Sequence, residues 1–188
     1  MTALFLDRDG VINHDYGYVH TWKKFDFIEG SLDALYALSK LKIKIIIVTN
    51  QAGIAKGYYT ENLLIKLHKK LDDYLQKKNI FIEDYIYCPH HHEGIIPKYT
   101  ICCNCRKPKP GMFLKAGDKY KLDLSKCLMI GDKISDIVAA QKAGITKNFL
   151  VNNQVNNLYD IKDYTIKKNL LDCVKDICSY VKMSNETV

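Results

Sequence analysis

Two hydrophobic patterns alternate along this chain. Short, continuously apolar runs such as Ile45-Ile46-Ile47-Val48 are followed by longer stretches in which apolar residues return at helical spacing. The first pattern predicts strands buried on both faces, and the second predicts amphipathic helices. Strands are expected near residues 3–6, 44–49, 80–87, 127–130 and 147–151. Helices are expected near residues 31–41, 60–78, 111–120, 134–143 and 169–182. Ser31 precedes Leu32, Leu35 and Leu38 and reads as an N-cap ahead of an apolar stripe. Thr60 stands in the same relation to Leu63, Leu64, Leu67, Leu71 and Leu75. Pro110 falls at a helix start, where its missing N–H costs nothing. Apolar strands alternating with helices imply an α/β fold, a doubly wound parallel sheet of Rossmann-like type. Such sheets bind ligands at the carboxyl ends of their strands.

Length and charge narrow the reading. A chain of 188 residues fits a single domain, 1–188, with a full core. Residues 183–188 are polar and expected to fray, and no segment is long enough to form a separate cap domain. No apolar run approaches the roughly 20 residues that span a membrane. The N-terminal apolar stretch runs straight into Asp7, unlike a signal peptide. A cytoplasmic, monomeric protein is therefore expected. The net charge of +7 comes from scattered lysines, with no dense basic run interleaved with aromatics. This argues against nucleic acid as a partner and suits an anionic small molecule.

Leu4-Phe5-Leu6-Asp7-Arg8-Asp9-Gly10 carries the first chemical signal. Carboxylates two apart on a strand share a face, and Gly10 permits a sharp turn behind them. Such a pair suits a metal-dependent reaction on a phosphate, in which one carboxylate attacks and the other moves protons. Three further runs follow in order. One apolar run ends in Thr49-Asn50. Arg106-Lys107-Pro108 places two cations before a helix. Leu128-Met129-Ile130-Gly131-Asp132-Lys133 ends in an acid, with Asp136 one turn on.

Seven cysteines, an odd number, argue against a disulfide framework in a chain without a secretory signal. Cys88-Pro89-His90 and Cys103-Asn104-Cys105 are separated by twelve residues. Three thiolates and an imidazole suit a tetrahedral zinc ion, with all four positions closed and hence a structural role. Cys102, His91 and His92 compete as ligands. The loop 88–105, stapled by zinc, would present Arg106 and Lys107.

These motifs resemble the haloacid dehalogenase superfamily of phosphohydrolases, which use D-x-D, a Ser/Thr, a Lys and a late acidic motif in that order. The zinc loop narrows the resemblance to its small phosphatases acting on D-glycero-D-manno-heptose 1,7-bisphosphate and to the related histidinol-phosphate phosphatases. The twelve-residue spacing looks like the heptose group. The resemblance also rests on Gly17-Tyr18-Val19-His20 and on Thr49 to Gly57. Ala52 replaces the family's serine, and Lys56 its arginine. The resemblance implies Asp7 as nucleophile, Asp9 as general acid and base, and Thr49 and Lys107 as phosphoryl-binding groups. It implies a Mg²⁺ held by Asp7, Asp132 and the carbonyl of Asp9, with Asp136 behind. It implies substrate contacts from Asp15, Tyr16, Gly17, Tyr18, Asn50, Gln51, Ala52, Lys56, Arg106 and Lys133, with Arg106 for the phosphate that is not cleaved. The expected reaction removes the 7-phosphate from the heptose bisphosphate on the route to lipopolysaccharide or capsule. Histidinol-phosphate hydrolysis, phosphotransfer to a sugar and a non-catalytic zinc module are the alternatives.

Overall fold

The computed structural model describes residues 2–151 and 162–186. Its six strands form one sheet: β1 (Ala3–Leu6), β2 (Lys44–Asn50), β3 (Asp84–Cys88), β4 (Leu128–Gly131), β5 (Lys147–Val151) and β6 (Thr165–Lys167). The order across the sheet is β3-β2-β1-β4-β5-β6, and every neighbouring pair is parallel. The chain winds outward from β1 to β3, then crosses back to β4 and winds the other way. That reversal opens a crevice beyond the carboxyl ends of β1 and β4.

Five helices cover the sheet: α1 (Ser31–Ser39), α2 (Glu61–Gln76), α3 (Gly111–Tyr120), α4 (Ile134–Lys142) and α5 (Leu170–Glu186). The two-residue period of β1 divides the core between the faces. Leu4 and Leu6 pack with Leu35 and Leu38 of α1, Leu71 and Leu75 of α2, and Cys173 and Ile177 of α5. Ala3 and Phe5 pack with Met112 and Phe113 of α3 and with Ala139 and Ala140 of α4. Phe5 and Phe113 meet edge to face at 5.1 Å. Among the described residues, no helix is long and apolar enough to cross a membrane.

Several boundaries differ from the pattern reading. The third strand begins at Asp84, not at residue 80, and runs on to Cys88. Asn79 takes a left-handed φ of 58°, and the Ile80 N–H returns to the Leu75 carbonyl. These apolar residues therefore close α2 before the sheet starts. Gly30, at φ 77°, holds the cap position expected of Ser31. Ser31 is the first helical residue, and its hydroxyl is buried without a hydrogen-bond partner among the described residues. Pro110 likewise stands in the cap position itself. Thr60 caps α2 as expected, its hydroxyl accepting from the Leu63 N–H. β6 was not expected, because three residues with a single isoleucine give no readable period. α5 runs on through Glu186, beyond the 182 expected for this helix, with Val181 packed on the core. Thr187 and Val188 lie outside the described residues.

Leu71 is fully buried beneath β1. Leu71→Ala should lower unfolding free energy by about 2–5 kcal/mol, read from urea denaturation with an unchanged m-value.

Candidate active site

The strand ends converge on one point. Asp7 follows β1 and continues its ladder, its N–H donating to the Ile130 carbonyl of β4 at 2.9 Å. Asp132 follows β4 directly. Gly10 and Gly131 let the segments close up. A Cβ on Gly10 would stand 2.2 Å from Asp132 Oδ2, and one on Gly131 would stand 2.3 Å from Asp136 Cβ. Gly10 also has φ 86°, which disfavours any side chain.

Lys107 lies at the centre, almost wholly buried. Its Nζ is 3.1 Å from Asp7 Oδ2 and 2.7 Å from Asp136 Oδ1, and it donates to the Val48 carbonyl at 2.9 Å. Burial opposes its charge, but Asp136 and Asp7 outweigh that and raise its pKa. Asp136 is fixed on its other side by the Lys133 N–H, 3.0 Å from Oδ2.

Asp7, Asp132 and Asp136 lie close enough to share an ion. Burial, then the neighbouring acids, push Asp132 up to about 8. Asp7 is pushed up to about 6, with burial again first and Lys107 opposing. Among the described residues, Asp132 Oδ1 is buried and has no hydrogen-bond partner. Three acids thus face Lys107 and, beside Asp132 at 3.6 Å, Lys133, and they carry an uncommitted oxygen, a donor set that fits a hard divalent cation.

The cleft above them has a volume of about 420 Å³. Thr49, Ala52, Lys56, Asp15, Gly17, Tyr18, Arg106 and Lys133, all named through the family resemblance, line it. Asn50 and Gln51 also line it, but their amides are committed elsewhere. Asn50 Nδ2 donates to the Lys107 carbonyl and its Oδ1 accepts from the Lys107 N–H, both at 3.1 Å. Asn50 therefore fixes the Lys107 backbone. Gln51 Nε2 donates to Asp9 Oδ2 at 3.0 Å and to Thr49 Oγ1 at 2.8 Å, and its Oε1 accepts from the Tyr59 hydroxyl. Tyr16 does not line the cleft: it is exposed, donates to Asp26 and stacks on His14. Lys133 Nζ is 3.0 Å from Asp15 Oδ2, tying the mouth of the cleft to α4. Three lining residues were not anticipated: Tyr59, Ser135 and His91. Burial first, then the nearby charges of Arg106 and Lys56, lower the His91 pKa, and Arg106 and Lys56 give that end of the cleft two cations.

Below that end, Cys88, His90, Cys103 and Cys105 bring their donor atoms together. Cys105 Sγ lies 3.1 Å from Cys88 Sγ and 3.2 Å from Cys103 Sγ, and His90 Nδ1 is 3.3 Å from Cys105 Sγ. Hydrogen bonding with Cys88 first, then with Cys103 and His90, draws Cys105 down to about 5. Cys102 is exposed, and His92 lies beside Glu93 at the surface. A soft thiolate and imidazole set fits zinc.

A parallel sheet with acids beyond two adjacent strands, a threonine in the last residues of a third and a buried lysine beside them describes a haloacid dehalogenase-type phosphohydrolase. Comparison with known proteins agrees. Residues 104–177 match the HAD-hydrolase-like family. The chain is 40% identical over 179 residues, 95% of each sequence, to a Vibrio cholerae protein named D-glycero-beta-D-manno-heptose-1,7-bisphosphate 7-phosphatase. A Haemophilus influenzae protein of the same name is 44% identical over 149 residues, 79% of this chain and 80% of its own. The crystal structure of D,D-heptose 1.7-bisphosphate phosphatase from B. bronchiseptica, complexed with magnesium and phosphate, superimposes with a TM-score of 0.85 at 26% identity. That match covers 95% of this chain and 99% of the other. The chain belongs to the D-glycero-D-manno-heptose 1,7-bisphosphate 7-phosphatase family of the haloacid dehalogenase superfamily. It is a phosphoric monoester hydrolase.

Asn50→Ala removes both hydrogen bonds on the Lys107 backbone. A displacement of Lys107 Nζ on the ångström scale should cost about a hundredfold in kcat/KM, with a far-ultraviolet circular dichroism spectrum unchanged from wild type.

Proposed function

We propose that this protein removes the 7-phosphate from D-glycero-β-D-manno-heptose 1,7-bisphosphate through an aspartyl-phosphate. This would serve nucleotide-activated heptose synthesis for lipopolysaccharide or capsule. The substrate reading comes from the shared name of relatives that match 79–95% of the chain. One observation supports the mechanism above others: Asp7 stands at the switch point with Lys107 Nζ 3.1 Å away and with Asp132 close enough to share an ion with it. In that position a carboxylate meets phosphorus with cationic help on the transferred oxygens.

In the first step an Asp7 oxygen attacks phosphorus as the bond to the sugar O7 breaks. O7 keeps the electron pair and takes a proton from Asp9. In the second step water attacks phosphorus, Asp9 accepts its proton, and the bond to Asp7 breaks to release phosphate and restore the carboxylate. Lys107 Nζ and the Thr49 hydroxyl would hold the equatorial oxygens, where charge spreads in the transition state. Asp7, Asp132 and, by the family resemblance, the Asp9 carbonyl would hold Mg²⁺, with Asp136 behind them. Bound there, the ion supplies charge that offsets repulsion between the attacking carboxylate and the anionic phosphate.

Cys88, His90, Cys103 and Cys105 would hold a structural zinc ion. The set joins the end of β3 to the segment that carries Arg106 and Lys107, so its integrity should govern activity at a distance. Elemental analysis of protein purified without added metal should find about one zinc per chain. Cys103→Ala should lose both zinc and activity. Full zinc content in that variant would make Cys103 the wrong ligand.

Arg106 lines the cationic end of the cleft near Lys56 and His91, and should bind the retained 1-phosphate. A charge-assisted hydrogen bond contributes about 1.5–3 kcal/mol, or roughly ten- to a hundredfold in kcat/KM. Arg106→Ala should therefore impair the bisphosphate by that factor and a simple sugar monophosphate far less. Equal losses would assign Arg106 to the transferred group. The whole proposal is tested by parallel turnover of both heptose bisphosphate anomers and histidinol phosphate. The β-heptose substrate should give the highest kcat/KM, and preference for histidinol phosphate would overturn the assignment.

A further inference from the structure

Arg8 separates the two acids of the D-x-D motif and is fully buried. Its Nη2 donates to both Asp9 oxygens at 2.9 Å and to the Val19 carbonyl at 2.6 Å, and its Nε reaches Asp9 Oδ1 at 3.3 Å. The remaining arm, Nη1, lies 3.0 Å from Nε2 of His68. His68 belongs to α2. It is nearly buried and stacks on Tyr85 with ring centroids 5.0 Å apart. A guanidinium has donors only, so the histidine must accept through a bare Nε2. Burial first, then the Arg8 charge, hold the His68 pKa well below its ordinary value, which keeps that lone pair free.

Asp9 is gripped from other sides as well. Asn13 Nδ2 donates to Oδ1 at 2.9 Å, and Gln51 Nε2 to Oδ2 at 3.0 Å. These donors fix where the carboxyl points. Arg8 adds something more: a cation behind a proton donor stabilises the negative charge that the donor acquires as it gives its proton away. Left without an acceptor on Nη1, the guanidinium would keep its bonds to Asp9 and Val19 but carry a buried, unpaired N–H arm, which loosens the group that aims Asp9.

We propose that Arg8 and His68 are positioning residues for proton transfer, a buried relay in which neutral His68 orients Arg8 and Arg8 orients Asp9 toward the leaving oxygen. The inference rests on the reading of Asp9 as the general acid.

The test compares leaving groups. A sugar alkoxide needs a proton to depart, whereas p-nitrophenolate does not. kcat/KM reports steps through phosphoryl transfer to Asp7, so the later hydrolysis does not enter. The ratio of kcat/KM for the heptose bisphosphate to that for p-nitrophenyl phosphate is also independent of the folded fraction. His68→Leu and Arg8→Lys should each lower that ratio about ten- to a hundredfold. The lysine retains a charge but loses the fork that holds two oxygens at once. His68→Gln, which keeps an acceptor, should recover most of the ratio. Asp9→Asn is the benchmark, and its ratio should fall furthest. A benchmark ratio that does not fall would overturn the general-acid reading itself. A fallen benchmark with an unchanged ratio in whichever of His68→Leu and Arg8→Lys folds would overturn the relay alone.

Discussion

Lys107 carries a charge into a site where a solitary ammonium would cost several kcal/mol to desolvate. Two acids and a main-chain carbonyl surround it, from three different parts of the fold: Asp7 after β1, Asp136 in α4 and Val48 in β2. Each of those partners is itself costly to bury without the lysine. The cluster is thus mutually enforced, and it fixes the spacing between the crossover segments on either side of the switch point.

The lysine's place depends in turn on a segment with little regular structure. Residues 89–106 leave the sheet after β3 and return beside it, passing through a short turn at Pro97–Tyr99. Two ties bring this excursion back. The Cys88, His90, Cys103 and Cys105 donors gather at its base, and Asn50 clamps the Lys107 backbone from the end of β2. The Arg106 guanidinium also donates to the His90 carbonyl at 3.4 Å, within the same excursion. A loop that would otherwise sample many conformations is held where a cation is needed.

Much of this was legible in the chain because strand ends are written locally. Apolar runs closing in Asp7, Thr49 and Asp132 place their chemistry with no knowledge of distant contacts, and paired cysteines and histidine place the metal-type cluster. Side-chain commitments were not legible. Asn50 reads as an open contact, yet its partner lies 57 positions away. Gln51 bonds Asp9 across 42 positions. Tyr16 sits in a segment whose path depends on Asp26, and it turns outward. His68 did leave a signal: it falls within the apolar stripe of Leu64, Leu67, Leu71 and Leu75, so helical spacing points it inward. Arg8 alternates with the two acids, so the strand period directs it away from the cleft. β6 and the true start of β3 were hidden because three residues carry no period and because a helix end borrowed the apolar residues before Asp84.

The account depends most on Asp7 as the atom that bonds to phosphorus. A single turnover with substrate labelled in the transferred phosphoryl group, quenched in acid within the turnover time and digested, tests this directly. The account predicts label on the peptide containing Asp7, appearing before free phosphate and absent from Asp7→Asn. Complete turnover with no label on that peptide at any time would contradict it, and would point instead to direct attack by water.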